Sequence, residues 1–314
     1  MKTLKFKTAV SLALAFGLFI GCNNSQEVLE GTQDSPQVIR LSSNIDLGIK
    51  PFKANLSRLQ NTQIETDRNL SLFITETADL SEPLYNNVVI KADGSGGFTH
   101  QSMFYPMSGK NIDIYAIHPY SSPADLNTDL NFSIVPDQST NEGYLESDLL
   151  FASKTDVSRT KNSILLNFSH KLAKLEFTIL EGDEADLTEL NKINILNVKP
   201  SISLNTTSGV LGSASGSVLN VTAKGVHGTA DPDETEVSGI EAIIIPQNIP
   251  AGVKLFEITI GNVKYYYTTT EELTFLEGKK YNLKLTIRQT GIELTSSIED
   301  WTDGGSVSGE GEAE

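Results

Sequence analysis

The chain has 314 residues, with 24 Lys and Arg against 40 Asp and Glu, and a formal charge of −16 at pH 7. A surface this acidic excludes nucleic-acid binding, because phosphate recognition needs a basic face; it suits the solvated surface of an exported protein. A lone cysteine excludes an internal disulfide, and the length allows one large or two ordinary domains.

The N-terminus has the layout of a signal peptide: basic Lys2, Lys5 and Lys7, an apolar run from Ala9 to Ile20, and small Gly21 ahead of Cys22. The run is shorter than the roughly 20 apolar residues a transmembrane helix needs, so residues 1–21 are expected to be removed. Cys22 then becomes the first mature residue and the expected lipid attachment point. Phe19, not Leu18, fills the place three before the cysteine where lipoprotein signals usually carry Leu. Residues 22–37 are polar and aperiodic, which makes them a tether between lipid and fold.

From residue 38 onward the dominant signal is period-two alternation, which predicts an all-β protein. The first strand, 38–50, alternates most cleanly. Ile39, Leu41, Ser43, Ile45, Leu47 and Ile49 take one face, and Arg40, Ser42, Asn44, Asp46, Gly48 and Lys50 take the other. Its five large apolar side chains, at roughly 1.5 to 3 kcal/mol each, give a gross contribution on the order of ten kcal/mol. Removing the strand would therefore leave an open groove.

Further strands are expected at Leu70–Thr75, Val88–Ala92, Ile112–Ile117 and Leu130–Val135, with Asp93-Gly94-Ser95-Gly96-Gly97 as a turn. Many short strands between turns indicate β-sandwiches. In Ile164–Leu180 the apolar phase switches from even to odd, which predicts a bulge or bend near His170. The expected boundary between an N-terminal sandwich (38–163) and a C-terminal one (164–301) lies beside it. The one helical candidate is Glu184–Asn191. Phe256, Ile258 and Ile260 should form a hairpin with Val263, Tyr265 and Tyr267 through Gly261-Asn262. A second hairpin is expected from Leu273 and Phe275 through Glu277-Gly278-Lys279 to Tyr281, Leu283, Leu285 and Ile287.

Close to the C-terminus, Ile292-Glu293-Leu294-Thr295-Ser296-Ser297-Ile298-Glu299 repeats the Ile, Leu, Ser and Ile of Ile39-Arg40-Leu41-Ser42-Ser43-Asn44-Ile45-Asp46 in register. Strand addition draws affinity from main-chain hydrogen bonds and specificity from alternate side-chain pockets, so Ile292, Leu294 and Ile298 mark 292–298 as a candidate donor strand for the groove of another subunit. The match ends where Leu47 and Ile49 would be answered by Asp300 and Thr302. Residues 302–314 form an acidic, Gly-rich tail with Val307 as its only large apolar residue.

No constellation for catalysis is legible, and the protein is expected not to be an enzyme and to need no cofactor. His100, His118, His170 and His227 stand singly, without zinc-site spacing or a triad partner, and read as structural. Asp231, Asp233, Glu234 and Glu236 lack the ordered spacing of a calcium loop. Period two sends Tyr266 opposite Tyr265 and Tyr267, which favours strand packing over a glycan platform.

Several stretches together resemble the fimbrillin family of pilus subunits. They are Phe104-Tyr105-Pro106 with Ser108-Gly109, Ile112–Ala116 leading to His118-Pro119-Tyr120, and Asp148-Leu149-Leu150-Phe151-Ala152. The others are Phe168–Leu175, Ile245-Pro246-Gln247, Gly278-Lys279-Lys280-Tyr281 and Ile298-Glu299-Asp300-Trp301. The resemblance implies two transthyretin-like (immunoglobulin-like) β-sandwich domains in tandem, and a lipoprotein held in the outer membrane through Cys22. It also implies an arginine-specific protease that removes the first strand together with the lipid, and other fimbrial subunits as partners, one lending its C-terminal strand to the groove. Between the first strand and the one beginning at Leu70, only Arg58 and Arg68 offer a cutting point. Arg58 is preferred because it lies further from the next strand. The alternative reading is a monomeric surface lipoprotein that binds glycan or protein, or an accessory, anchor or tip subunit.

Overall fold

Alternating apolar residues become strands along almost the whole of a computed structural model that describes residues 36–45, 63–182, 186–225, 235–288 and 291–301. In chain order the first strands are β1 (Leu41–Ile45), β2 (Asn69–Glu76), β3 (Tyr85–Ala92), β4 (Phe98–Thr99), β5 (Ile112–His118) and β6 (Asp129–Ser133). After α1 (Asn141–Glu146) come β7 (Leu150–Val157), β8 (Ile164–His170), β9 (Ala173–Glu181), β10 (Leu190–Val198), β11 (Ser201–Asn205) and β12 (Leu219–Thr222). The remainder are β13 (Glu236–Ile244), β14 (Gln247–Ile249), β15 (Lys254–Ile260), β16 (Val263–Thr268), β17 (Leu273–Phe275), β18 (Lys279–Arg288) and β19 (Gly291–Asp300). The fold is all-β, as the alternation predicts.

The first half builds a seven-stranded sheet in the order β1-β8-β7-β5-β2-β3-β4. Its central strands β2 and β5 bury both faces. Leu70, Leu72, Ile74, Ile112, Ile114 and Ala116 line one core with Ile39, Leu41 and Ile45, while Phe73, Tyr115 and Ile117 face a second core. That second core is completed by two four-stranded sheets, β12-β10-β15-β16 and β13-β9-β18-β19. Phe177 on β9 meets Phe256 on β15 edge to face, with centroids 5.2 Å apart, so these sheets pack as a sandwich.

Local expectations meet mixed outcomes. The Gly261-Asn262 hairpin forms as expected: Ile260 pairs with Val263, and Gly261 takes a φ of 55°. The second hairpin does not form a ladder. β17 pairs with β14, whereas β18 lies between β9 and β19. Gly278 donates its N–H to Leu172 O at 3.0 Å, which carries the chain from one sheet to the other. The phase change near His170 is a change of sheet, since β8 and β9 belong to different ones. Within the helical candidate the described residues give only a 3-10 turn, Leu187–Glu189, capped by Asp186. The α-helix lies instead at Asn141–Glu146, capped by the Thr140 hydroxyl, which accepts from Gly143 N–H.

Candidate functional site

The first strand closes the seven-stranded sheet on itself. Along one edge β1 runs parallel to β8, with Leu41 opposite Ile164, Ser43 opposite Leu166 and Ile45 opposite Phe168. Along the other edge, Ile39 N–H donates to Met103 O (2.8 Å), Ser43 N–H to Gly96 O (2.7 Å), and Tyr105 N–H to Gln37 O (3.0 Å). The strand is therefore held between β8 and the 96–105 segment, and without it both flanking edges would lose their partners. The expected Asp93–Gly97 turn forms part of the slot wall. Asp93 accepts from the N–H groups of Ser95 (2.7 Å) and Gly97 (2.9 Å), and these bonds hold its carboxyl below the ordinary carboxylate range. Gly96, at a φ of 90°, approaches so closely that a Cβ there would sit 3.1 Å from Ser43 O.

Side chains make the slot selective. Ile39, Leu41 and Ile45 are buried, and so is Ser43, so the slot takes large apolar groups at three alternate places and a small one at the fourth. Three such side chains contribute roughly 5 to 9 kcal/mol gross. Leu47, Ile49, Cys22 and Arg58 lie outside the described residues. Arg68 sits directly before β2, ion-paired with Glu142 (2.8 Å) and Glu146 (3.4 Å), and its carbonyl accepts from Ala92 N–H.

The candidate donor segment lies in β19, at the end of its sheet and, among the described residues, paired only with β18, in unbroken antiparallel register from Gly291 opposite Arg288 to Asp300 opposite Lys279. Ile292 and Leu294 are half-buried, Ser296 is exposed, and Ile298 is 58 % exposed although it lies opposite buried Tyr281. The same apolar pattern is thus enclosed in β1 and largely open in β19. Trp301, directly after β19, is buried and stacks on His170 with centroids 3.8 Å apart and planes 7° from parallel. His170 Nδ1 lies 2.8 Å from Asp148 Oδ1, and His118 Nδ1 donates to Asp148 O at 2.8 Å. Two histidines that stand apart in sequence thus meet around one aspartate.

On the outer face of this sheet, Lys174 is 1 % exposed and pairs with Glu176 (2.9 Å) and Glu241 (3.3 Å). Lys280 continues the chain of charges to Glu176 (3.5 Å) and Glu299 (2.8 Å). Burial pushes the Glu299 carboxyl up, but hydrogen bonds from Asn282 and Lys280 together outweigh it and hold the group below its ordinary value. Tyr266 points outward with Lys254 Nζ 4.4 Å from its ring centroid, while Tyr265 and Tyr267 pack inward. Among the described residues no group of three or more His, Cys, Asp or Glu could hold a metal ion.

Fim1C of Bacteroides uniformis, a candidate fimbrium subunit, is 24 % identical over 329 aligned positions that cover 99 % of this chain and all of that protein. Two crystal structures of candidate cell adhesion proteins share the fold. One, from Bacteroides ovatus, has a TM-score of 0.64 at 20 % identity and covers 85 % of this chain and 98 % of its own. The other, from B. uniformis, has a TM-score of 0.62 at 18 % identity and covers 86 % and 99 %. Residues 57–301, from the segment after the first strand to Trp301, match the fimbrillin-like family, and the chain belongs to that family.

Proposed function

We propose that this protein is a structural subunit of a cell-surface adhesive fimbria, exported as a lipoprotein on Cys22 and assembled by exchange of its first strand. The observation that carries the reading is the contrast between β1, buried and hydrogen-bonded on both edges, and β19, which bears the same pattern at the end of its sheet with Ile298 exposed. In the slot of a second copy, Ile292, Leu294, Ser296 and Ile298 would take the places of Ile39, Leu41, Ser43 and Ile45. They would run parallel to β8, with Ser296 at the small position. Tandem transthyretin-like sandwiches are part of this reading, one ending with β8 and the next starting with β9, so that they meet just after His170 and not at 164. So are other fimbrial subunits as partners and an outer-membrane precursor that precedes the surface fimbria.

An arginine-specific protease would free the first strand at Arg58. Arg68 is the poorer choice: its guanidinium is engaged by two glutamates and its backbone is tied to β3, whereas proteases favour exposed segments able to leave the fold. The test is protease treatment followed by size analysis and N-terminal sequencing. Polymer beginning at Leu59, lost in Arg58→Ala and in a chain lacking residues 292–298, is the expected result. Polymer still beginning at Cys22 overturns maturation by cleavage.

A second reading, a monomeric or accessory, anchor or tip subunit, is favoured by two features. In the alignment of the two segments Asp300 and Thr302 answer Leu47 and Ile49, and residues 303–314 contain only Val307 as a large apolar residue. Cleaved chains that stay monomeric would select it.

A further inference from the structure

We propose that Trp301 is the latch that keeps β19 docked on its own subunit, and that strand donation begins when its ring leaves the stack on His170; this rests on the strand-exchange reading above. Side-chain burial along β19 is slight: Ile292 and Leu294 are half-buried, while Ser296 and Ile298 are exposed. Among the described residues only one edge of the strand is laddered. Such a strand frays from its end unless something pins it.

Trp301 is that pin. It follows the last residue of β19, is 6 % exposed, and lies flat on His170. Its backbone N–H donates to Gly278 O at 2.8 Å, and Gly278 N–H donates in turn to Leu172 O, so the strand end is tied to the head of β18 and to the corner between β8 and β9. The surface beneath the ring is rigid, because His170 is fixed by Asp148 and both side chains are 2 % exposed. Position adds a further meaning. His170 ends β8, two residues beyond Phe168, which faces Ile45 across the slot ladder. The strand that lines the acceptor slot therefore also carries the seat of the donor's latch, and losing β1 frees the β8 edge next to that seat.

The test uses the full mature chain with its first strand in place, as wild type, Trp301→Ala and Trp301→Phe, followed by hydrogen exchange. The alanine variant is expected to raise exchange in the 291–300 segment at least tenfold and to leave 173–181 unchanged, with phenylalanine, which keeps a ring, within threefold of wild type. Unchanged exchange in 291–300 overturns the latch, and so does an equal rise in both segments, which would mean general loosening. After protease treatment, Trp301→Ala should assemble several-fold faster than wild type. Equal assembly rates overturn the latch as the gate to donation. Raised exchange with no assembly of any variant supports the latch and refutes the fimbrial reading.

Discussion

One substitution made at two places separates the slot from the donor. Ile45 is 1 % exposed and faces Phe168, itself fully buried within 6.4 Å (centroid to centroid) of Phe98. Ile45→Ala removes three carbons at about 0.8 kcal/mol each and leaves a cavity that the flanking backbones cannot close, for a total of about 2.5 to 4 kcal/mol. Ile298→Ala removes the same atoms from a side chain 58 % exposed, so its cost to the isolated subunit is about 0.5 kcal/mol. On the proposed reading Ile298 takes Ile45's place in the neighbouring subunit, so Ile298→Ala should weaken assembly by the 2.5 to 4 kcal/mol that Ile45→Ala costs the precursor, roughly a hundred- to thousandfold. Urea unfolding of the uncleaved proteins measures the first pair of values, and the concentration dependence of polymer after cleavage measures the second. If Ile298→Ala destabilises the uncleaved subunit as much as Ile45→Ala, or leaves polymer formation unchanged, the assignment of 298 to the slot position of 45 is wrong.

Three other expectations follow from the site. Trp301 is the only tryptophan and is buried against His170, so fluorescence reports the latch alone. Emission should be blue-shifted and shielded from acrylamide in the precursor, and red-shifted and quenchable in polymer; identical spectra would show that Trp301 stays seated. Lys174→Met leaves Glu176 and Glu241 without their shared cation, and should lower stability by about 3 kcal/mol, the low end for a broken buried pair because both carboxylates keep some solvent. A urea midpoint shift at unchanged slope checks this. Burial lowers the His118 pKa below 6.5, so the unfolded chain binds the extra proton. Its contribution is complete above pH 6.5 and is lost as pH falls from there through the depressed folded value. The decline should approach about 1.4 kcal/mol per pH unit and flatten in His118→Asn. A wild type whose stability is level between pH 7.5 and 5.5 would count against it.

Alternation states which face of a strand is buried but not which strand lies beside it, and the fold divides along that line. Ile39, Leu41 and Ile45 read correctly as a buried face because period two is a local property. The parallel partner β8, more than a hundred residues away, and the second edge supplied by 96–105 are non-local and left no local trace. The Gly261-Asn262 hairpin was legible for the same reason, since a two-residue turn dictates its own pairing. The Leu273–Ile287 hairpin was not, because partner choice there depends on Leu172 and Trp301 reaching Gly278. The helix Asn141–Glu146 is a short segment with a glycine in its middle, too short to show a period. His118, Asp148 and His170 meet only once β5, β7 and β8 are side by side.

On the proposed reading, the difference between β1 and β19 gives a reason for assembly to wait for a cut. In the slot, a strand has two hydrogen-bonded edges and three buried apolar side chains; β19 on its own subunit has one laddered edge and an exposed Ile298. Transfer of residues 292–298 into a vacant slot would gain a second hydrogen-bonded edge and bury Ile298, against the loss of the β18 ladder and of the Trp301 seat. A slot that still holds its own first strand is another matter, because a covalently tethered strand competes at an effective concentration of order millimolar, far above that of any neighbouring subunit. Cleavage between β1 and β2 would remove that advantage while leaving the described contacts of β1 in place. An uncleaved subunit should accordingly resist even a large excess of a synthetic peptide spanning residues 291–300. The same peptide should bind a cleaved subunit once the released strand has been diluted away, a difference that fluorescence anisotropy of the labelled peptide reads directly. Equal binding to both forms would mean that the tether, and with it the cut, does not control the slot.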